Sequence, residues 1–360
     1  MNRRSVLRLC IVLLLLLFVS GCSKVEQRSG ETDNATKQNK SITPTSEIIS
    51  LADGLSTVNY TGDYGFNDFL KQGGASSDSE VMEFLTEHLV SSIPGLSFSG
   101  EIFGCSTLSV QNREGKHLFG RNFDWNHCQA WIVQSEPKDG YASLSTVNMD
   151  FIRGGAGMDV EQLPEKVKVF AALYAPLDGM NEKGLCVSVN MIEDSDTIEQ
   201  ETEKPDITTT TAVRLLLNQA ADVEEALKLL QRYNFHASMN MMIHIALSDA
   251  RGRSVVVEYV DNKMVVTDTP VVTNFYFAEG KKKGIGTEQS HTRYHILMNT
   301  LEEKKTLDME GVRDAMDSVS KDNFGEFEST EWSVVYNQSN GEIRYYHRED
   351  YSTSYIFKLK

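Results

Sequence analysis

Apolar residues recur at helical spacing in several segments of the chain. In segment 78–92 they occupy positions i, i+3, i+4 and i+8, as Val81, Phe84, Leu85 and Leu89. Ser77 precedes this run and can cap the helix. Four later stretches are also predicted to be helical: "TTTAVRLLLNQA", "DVEEALKLLQRY", "HTRYHILMNTLEE" and "MEGVRDAMDSVS".

Strand patterns begin after Gly100. Six β-rich runs are separated by turn residues: "EIFGCSTLSVQN", "KHLFGRNFDW", "AWIVQSE", "YASLSTVNMDFI", "KVFAALYAP" and "GLCVSVNMI". The turn in "QNREGKHLFG" joins the first two runs as a hairpin. A three-strand meander covers 241–275, and the hairpin "EWSVVYNQSNGEIRYYH" follows the last helices. Alternating blocks of strands and helices predict a layered α+β domain with two mainly antiparallel sheets between helix layers.

The first 104 residues have a different character. Residues 1–22 combine three arginines, an apolar run from Leu9 to Val19 and the ending "VSGC", which predicts a bacterial lipoprotein signal with lipidation at Cys22. An ordinary cleaved signal is the alternative. Polar residues 23–45 are predicted to be a disordered tether and 46–104 a helical pro-segment, ahead of a catalytic domain over 105–360. The expected location is the extracytoplasmic face of a bacterial cell membrane.

Composition narrows the function classes. A formal charge of −16 argues against nucleic acid as a partner. Once the signal and Cys22 are set aside, Cys105, Cys128 and Cys186 remain, and an odd number of cysteines indicates at least one free thiol. The chain has no CxxC or HExxH motif, so neither a metal site nor a cofactor is predicted.

Candidate chemistry begins at Cys105, which follows Gly104 in "EIFGCSTLSV". In "GRNFDW", Arg121 and Asp124 lie three residues apart, so a bend near Phe123 is expected if both are to approach the cysteine. A cation beside the thiol would lower its pKa. A surface ion pair is the alternative reading of these two charged residues.

Three later polar residues could complete a site. Asn190 ends "DGMNEKGLCVSVN", Asn274 lies in "VVTNF" and Arg293 lies in "SHTRY". Asparagine amides can donate to an oxyanion, and an arginine can orient a carboxylate. Turn or cap positions are the alternative for each residue taken singly.

Together these stretches, "GCSTLSVQNREGKHLFGRNFDW", "DGMNEKGLCVSVN", "VVTNF" and "SHTRY", closely resemble the choloylglycine hydrolase and penicillin V acylase family. That family belongs to the N-terminal nucleophile hydrolases and is related to N-acylethanolamine acid amidase. The resemblance covers the chain from Cys105 to its end. It implies a four-layer αββα sandwich that hydrolyses linear C–N amide bonds of small N-acyl substrates, among which the sequence does not select.

The resemblance also implies roles for individual residues. Cys105 would be the nucleophile, with Arg121 and Asp124 around its thiol and α-amine. The oxyanion hole would consist of Asn190 and Asn274. Arg293 would complete the site, and Asn181 would brace a turn.

One departure from the family pattern concerns activation. Bile salt hydrolases expose their cysteine by losing only the initiator methionine, whereas more than a hundred residues precede Cys105 here. Autocatalytic cleavage between Gly104 and Cys105 is therefore expected, as in amidases that are made as inactive precursors. The alternatives are a Cys-His hydrolase that uses His291 or His295 without cleavage, and a non-catalytic lipoprotein that binds small ligands.

Overall fold

Strands outnumber helices in the part of the chain that the structure describes. The computed structural model describes residues 37–43, 45–89, 97–99, 104–153, 160–324 and 328–359. Its strands, in chain order, are β1 (Gln38–Ser41), β2 (Ile49–Ala52), β3 (Leu55–Thr61), β4 (Ser97–Phe98), β5 (Gly104–Gln111), β6 (His117–Trp125), β7 (Ala130–Glu136), β8 (Ser143–Asn148), β9 (Ile152–Arg153), β10 (Asp178–Asn181), β11 (Cys186–Met191), β12 (Asp206–Thr208), β13 (Asn234–His236), β14 (Ile243–Ser248), β15 (Ser254–Val260), β16 (Lys263–Asp268), β17 (Val271–Val272), β18 (Ser329–Asn337), β19 (Glu342–His347) and β20 (Thr353–Lys358). Its α-helices are α1 (Phe66–Lys71), α2 (Asp78–Phe84), α3 (Glu165–Tyr174), α4 (Thr209–Gln219), α5 (Val223–Leu230), α6 (Glu288–Lys304) and α7 (Met309–Asp317).

Two large sheets contain sixteen of these strands. The first has the order β1-β20-β19-β18-β6-β5-β17, and the second has the order β16-β15-β14-β11-β10-β8-β7-β3-β2. Neighbouring strands are antiparallel except for β1 with β20 and β3 with β7. The predicted meander is present as β14, β15 and β16, and the predicted final hairpin as β18 and β19.

Helices cover the outer faces of both sheets. Helices α6 and α7 contact the first sheet, and α3 and α4 contact the second. Gly120 on β6 permits the close approach of α7, because a Cβ there would lie 2.7 Å from Val312 Cγ1. The four layers confirm the predicted α+β sandwich with two mainly antiparallel sheets.

The segment before Cys105 is less helical than predicted. Residues 38–41, which were assigned to the tether, form β1. Residues 49–61 of the predicted pro-segment contain the whole of β2 and β3. In β3, Leu55, Thr57 and Val58 are buried, so this strand is part of the sandwich. The signal and Cys22 lie outside the described residues. Within those residues, no helix combines the length and apolarity needed to cross a bilayer.

Two other segments differ from the sequence prediction. The run "KVFAALYAP" was predicted as a strand but falls largely in α3, where Val167 and every residue from Phe170 to Tyr174 are buried. A short continuous apolar run does not distinguish a buried strand from a buried helix. Strand β20, after the predicted final hairpin, was missed.

Asn181 braces the turn between β10 and β11, as predicted. Its buried Nδ2 donates to the carbonyl oxygens of Leu217 (3.1 Å) and Ala220 (2.7 Å). Its Oδ1 accepts from the backbone nitrogens of Lys183 (3.1 Å) and Leu185 (3.2 Å). One side chain therefore joins the second sheet to the end of α4.

A buried ion pair joins the two sheets. Arg121 Nε on β6 donates to Asp178 Oδ2 on β10 at 2.9 Å, and both side chains have no exposed surface. Asp178 also accepts hydrogen bonds from Trp332 Nε1 (2.9 Å) and Tyr336 Oη (3.2 Å) on β18. The carboxylate is therefore held from the opposite sheet by three donors.

Replacing Asp178 with alanine is expected to lower the free energy of unfolding by about 3–5 kcal/mol, because it leaves a buried guanidinium without its anion. Urea denaturation followed by tryptophan fluorescence measures the change. The control is Glu224→Ala, which removes the carboxylate of the exposed Glu224–Lys228 pair and should hardly move the midpoint. Similar midpoints for the two variants would contradict a structural role for the buried pair.

Candidate active site

The hairpin of β5 and β6 brings the first candidate residues together. Asn112 and Lys116 close its turn with a backbone hydrogen bond of 2.8 Å. In the antiparallel register, Thr107 faces Arg121 and Gly104 faces Asp124. The predicted hairpin is thus present, and it places Arg121 and Asp124 beside the strand that carries Cys105.

The Cys105 thiol is on the side of the hairpin that faces the second sheet. It is fully buried, and Sγ lies 3.5 Å from the carbonyl oxygen of Val189 on β11. Arg121 lies beside the thiol and donates to the Val189 oxygen (3.1 Å) and to Asn190 Oδ1 (3.5 Å). Burial raises the pKa of the Cys105 thiol to about 11, although Arg121 opposes the shift. In the uncut chain the thiol is therefore protonated at neutral pH.

The backbone of Cys105 is bound by a second set of side chains. Its nitrogen donates to Asn274 Oδ1 at 2.8 Å. Arg293, on α6, donates to Cys105 O (2.6 Å), Ser106 Oγ (2.6 Å) and Asn274 Oδ1 (2.8 Å). The nitrogen and the carbonyl oxygen of the candidate nucleophile are both fixed by buried polar groups.

Asp124 approaches Cys105 from a different direction than Arg121. Its Oδ2 lies 3.5 Å from Arg293 Nη1, and its Oδ1 accepts from Thr330 Oγ1 at 2.7 Å. A Cβ on Gly104 would be 2.8 Å from Asp124 Oδ2, so glycine is the residue that fits beside this carboxylate. The bend that was expected near Phe123 is not what brings Arg121 and Asp124 close to Cys105. Arg121 reaches the thiol, and Asp124 lies against the backbone at Gly104.

The two candidate oxyanion donors differ in their availability. Asn190 Oδ1 accepts from Ser188 Oγ at 2.8 Å, while its buried Nδ2 has no hydrogen-bond partner among the described residues. Asn274 Nδ2 instead donates to the carbonyl oxygen of Met191 at 2.7 Å. Both asparagines were expected to donate to an oxyanion. In the uncut structure the Asn274 amide nitrogen already donates to Met191, and of the two amide nitrogens it is that of Asn190 which lacks a partner.

The histidines that a Cys-His hydrolase would need have other contacts. His291 stacks on Phe275 with ring centroids 4.1 Å apart, and its Nε2 lies 2.9 Å from the Gly284 oxygen. The His295 ring lies beside that of Tyr294. Both rings therefore contact residues other than Cys105.

Sequence reasoning missed Asp178 as part of the site. It orients Arg121, which contacts the thiol, the Val189 oxygen and Asn190. The feature of the sequence that could have identified Asp178 is that it is the first residue of the quoted motif "DGMNEKGL". That motif does not reveal its partner, because the partner is on the opposite sheet.

The three cysteines within the described residues, Cys105, Cys128 and Cys186, are free and buried. Burial also raises the pKa values of the Cys128 and Cys186 thiols. In the same part of the chain, no group of three or more His, Cys, Asp or Glu side chains is arranged to hold a metal ion. The chemistry that the described cluster offers is that of a thiol flanked by charged and amide groups.

The stretch of the chain that carries these residues is similar in sequence to known proteins. Residues 105–275 match the model of the linear amide C–N hydrolases of the choloylglycine hydrolase family. The match starts at Cys105 and includes every candidate catalytic residue except Arg293. The chain is 27% identical to penicillin V acylase from Pectobacterium atrosepticum over 170 residues, which is 41% of this chain and 42% of that protein. It is also 27% identical to bile salt hydrolase/transferase from Clostridium perfringens over 175 residues, 46% and 51% of the two chains.

These alignments span about half the length of the relatives. Two solved structures of conjugated bile acid hydrolase from Clostridium perfringens, both of altered forms, share the fold. Their TM-scores are 0.53 and 0.51 at 18% and 16% identity, and each alignment covers 71% of this chain and 92% of the other. Residues 105–275 are thus similar to the choloylglycine hydrolase family of linear amide C–N hydrolases, and the chain shares the fold of conjugated bile acid hydrolase.

Proposed function

We propose that this protein is a lipid-anchored cysteine amidase that hydrolyses a linear, non-peptide amide of an N-acyl substrate, after cleavage between Gly104 and Cys105 exposes its nucleophile. The observation that carries the proposal is the hydrogen bond from the Cys105 nitrogen to Asn274 Oδ1 at 2.8 Å. Cleavage would convert this nitrogen into a free α-amine. The amine would lie on the same residue as the thiol, and Asn274 Oδ1 would already accept a hydrogen bond from it.

The same contacts support the proposed cleavage of the precursor. The Cys105 sulfur attacks the carbonyl carbon of Gly104, and the peptide C–N bond breaks as the Cys105 nitrogen takes up a proton. The resulting thioester between Gly104 and Cys105 is hydrolysed by water, which frees the thiol. The absence of a side chain on Gly104 allows Asp124 to lie directly against this junction.

The mature site would then act on an amide. A free α-amine has a pKa of about 8, so it can take the proton of its own thiol near neutral pH. The thiolate attacks the substrate carbonyl, and the open Nδ2 of Asn190 stabilises the oxyanion. The C–N bond breaks, the amine leaves with the proton, and water hydrolyses the acyl-thioester at Cys105 to release the acid.

Changing Cys105 tests this proposal directly. Intact-mass analysis of the wild-type chain should show a fragment that begins at Cys105, and Cys105→Ala should remain uncut. Cys105→Ser is expected to be cut, because a hydroxyl can support the acyl shift, but to hydrolyse amides poorly. Activity is measured as amine released from penicillin V, a glycine-conjugated bile salt and an N-acyl amino acid, the first two chosen from the names of the relatives.

Cys128→Ala is the matched control, because it removes another buried thiol, from a residue outside strands β5 and β6. It should be cut and remain active. An active wild-type preparation with an intact Gly104–Cys105 bond would overturn cleavage as the activating step. Undiminished activity in Cys105→Ala would overturn the amidase itself.

The rate of cleavage should depend on pH. Below a thiol pKa of about 11, each unit of pH increases the thiolate fraction about tenfold. Uncut chain prepared at pH 6 should therefore be cut progressively faster when transferred to pH 7, 8 and 9, with fragment formation followed by gel electrophoresis. An equal rate at all three values would contradict attack by a thiolate formed from the buried thiol.

The proposed anchor is a lipid on Cys22, at the cell membrane and on its extracytoplasmic face. After cleavage the anchor would remain connected to the catalytic domain through the segment before Cys105. Strand β3 supports this arrangement, because it pairs in parallel with β7 from Leu55–Ala130 to Thr61–Glu136. Phe66 and Phe69 of α1 are also buried in the main core.

Replacing Cys22 with alanine should move the protein from the membrane fraction to the soluble fraction without altering cleavage or activity. Fractionation of expressing cells and immunoblotting of the C-terminal fragment measure this. In the wild type, the fragment should stay with the membranes through repeated washing. Its release by washing would contradict a retained segment, and an unchanged distribution of the Cys22→Ala variant would contradict the lipid anchor.

A further inference from the structure

One carboxylate of the second sheet binds the loop that carries Asn274. Asn274 follows β17 of the first sheet, and Glu258 lies on β15 of the second. Glu258 Oε1 accepts a hydrogen bond from the backbone nitrogen of Phe277 (2.9 Å), and Oε2 accepts one from that of Ala278 (2.6 Å). Both oxygens of one side chain thus bind consecutive backbone amides, three and four residues after Asn274.

The Glu258 carboxylate is also held within the second sheet. Its side chain has no exposed surface, and neither has that of His244, whose Nδ1 lies 3.3 Å from Glu258 Oε1. A carboxylate only accepts hydrogen bonds, so Nδ1 carries the proton. His244 in turn is paired with Asn190 in the register of β14 and β11. A buried charge is costly unless hydrogen bonds compensate for it, and here three donors do so.

The side chain of Asn274 holds the nitrogen of the candidate nucleophile. Its Oδ1 accepts from Cys105 N (2.8 Å) and from Arg293 Nη2 (2.8 Å). Its Nδ2 donates to the carbonyl oxygen of Met191 at 2.7 Å. These contacts orient the amide group of Asn274. They can form together only if the backbone of the loop stays in its place.

The backbone nitrogens that follow Asn274 show what fixes the loop. Those of Phe275 and Tyr276 donate to the oxygens of Thr273 (3.1 Å) and Ile285 (3.0 Å), within the same connection between β17 and α6. Of the four nitrogens from 275 to 278, the last two bind the second sheet, and both do so through Glu258. The carboxylate therefore ties the position of Asn274 to the sheet that carries Asn190.

We propose that Glu258 is a positioning residue of this amidase, which acts through the loop 274–278 to keep Asn274 Oδ1 at the nitrogen of Cys105. The inference rests on the proposed function. In that function the nitrogen is the leaving group when the precursor is cut, and it is the general base when the amide substrate is hydrolysed. A misplacement of about 1 Å can cost about a hundredfold in rate, even when the altered residue is away from the chemistry.

The test replaces Glu258 with glutamine, which keeps the size of the side chain. The new amide nitrogen faces a backbone N–H, so one of the two hydrogen bonds to the loop is lost. We expect kcat of the mature enzyme to fall by at least about tenfold and KM to change by less than about threefold, because Asn274 contacts the nucleophile and not the substrate in the proposed mechanism. The substrate is whichever of penicillin V, a glycine-conjugated bile salt and an N-acyl amino acid the wild type hydrolyses fastest.

Asp249→Asn is the matched control. Asp249 is also a buried carboxylate that binds the backbone of a loop, through the nitrogens of Val223 (3.0 Å), Arg251 (2.9 Å) and Arg253 (3.2 Å). It follows β14 at the end opposite His244. The control should lower the midpoint of urea denaturation but leave kcat within about twofold of the wild type.

Intact mass verifies cleavage at Cys105 in every preparation, so that only mature enzyme is compared. If Glu258→Gln is not recovered folded, Glu258→Asp replaces it, because a carboxylate one methylene shorter keeps the charge but cannot reach both nitrogens. A folded Glu258 variant that stays uncut, beside a control that is cut, would support the inference, since Cys105 N is the leaving group at that step.

The other outcomes separate this inference from the function on which it rests. An equal fall of kcat in the Glu258 variant and the control would show that Glu258 only supports the fold. An unchanged kcat, or a loss confined to KM, would show that it does not position Asn274. Each of these results overturns the inference while the amidase stands. Failure of the mature wild type to hydrolyse any of the three substrates overturns the amidase and the inference together.

Discussion

The buried guanidinium of Arg121 is the constraint on which the rest of the site depends. A cation without access to water must be surrounded by acceptors, and here three of them come from the sheet opposite the strand that carries Arg121. Asp178 supplies the charge, and the Val189 carbonyl and the Asn190 amide oxygen supply further contacts. The requirement to satisfy one side chain therefore sets the spacing of the sheets where Cys105 lies. It also fixes which atom of Asn190 remains open.

Side chains alternate along the strands of the β5–β6 hairpin, so the candidate residues point to two different faces. Cys105 and Arg121 face the second sheet, where a substrate carbonyl would be attacked. Asp124 faces the other way, toward Arg293 of α6. The backbone of Cys105 lies between the two faces, bound by Asn274 and Arg293. In the proposed function, precursor cleavage and amide hydrolysis would use one sulfur atom with different neighbours.

The sequence was informative where a pattern is local. The β5–β6 hairpin, the meander and the Ser77 cap of α2 followed from turn residues and periodicity, and the candidate residues came from short motifs that resemble a family. The ambiguous run in α3 was misread because its apolar residues fit both periods. The partners of Asp178 and His244 were not predictable, since they depend on strand register between segments far apart in the chain. The same holds for the Asn274 amide, which is engaged by Met191.

The segment before Cys105 contributes a strand to both sheets. Strand β1 borders β20 at the end of the first sheet, and β2 and β3 extend the second sheet beyond β7. Without them, β20 and β7 would present rows of unpaired backbone N–H and C=O groups, the kind of edge on which sheets of separate molecules join. By pairing with β20 and β7, the segment covers two edges on which such joining could occur. The cleavage proposed at Gly104 would change the chemistry of Cys105 and leave the number of strands in both sheets unchanged.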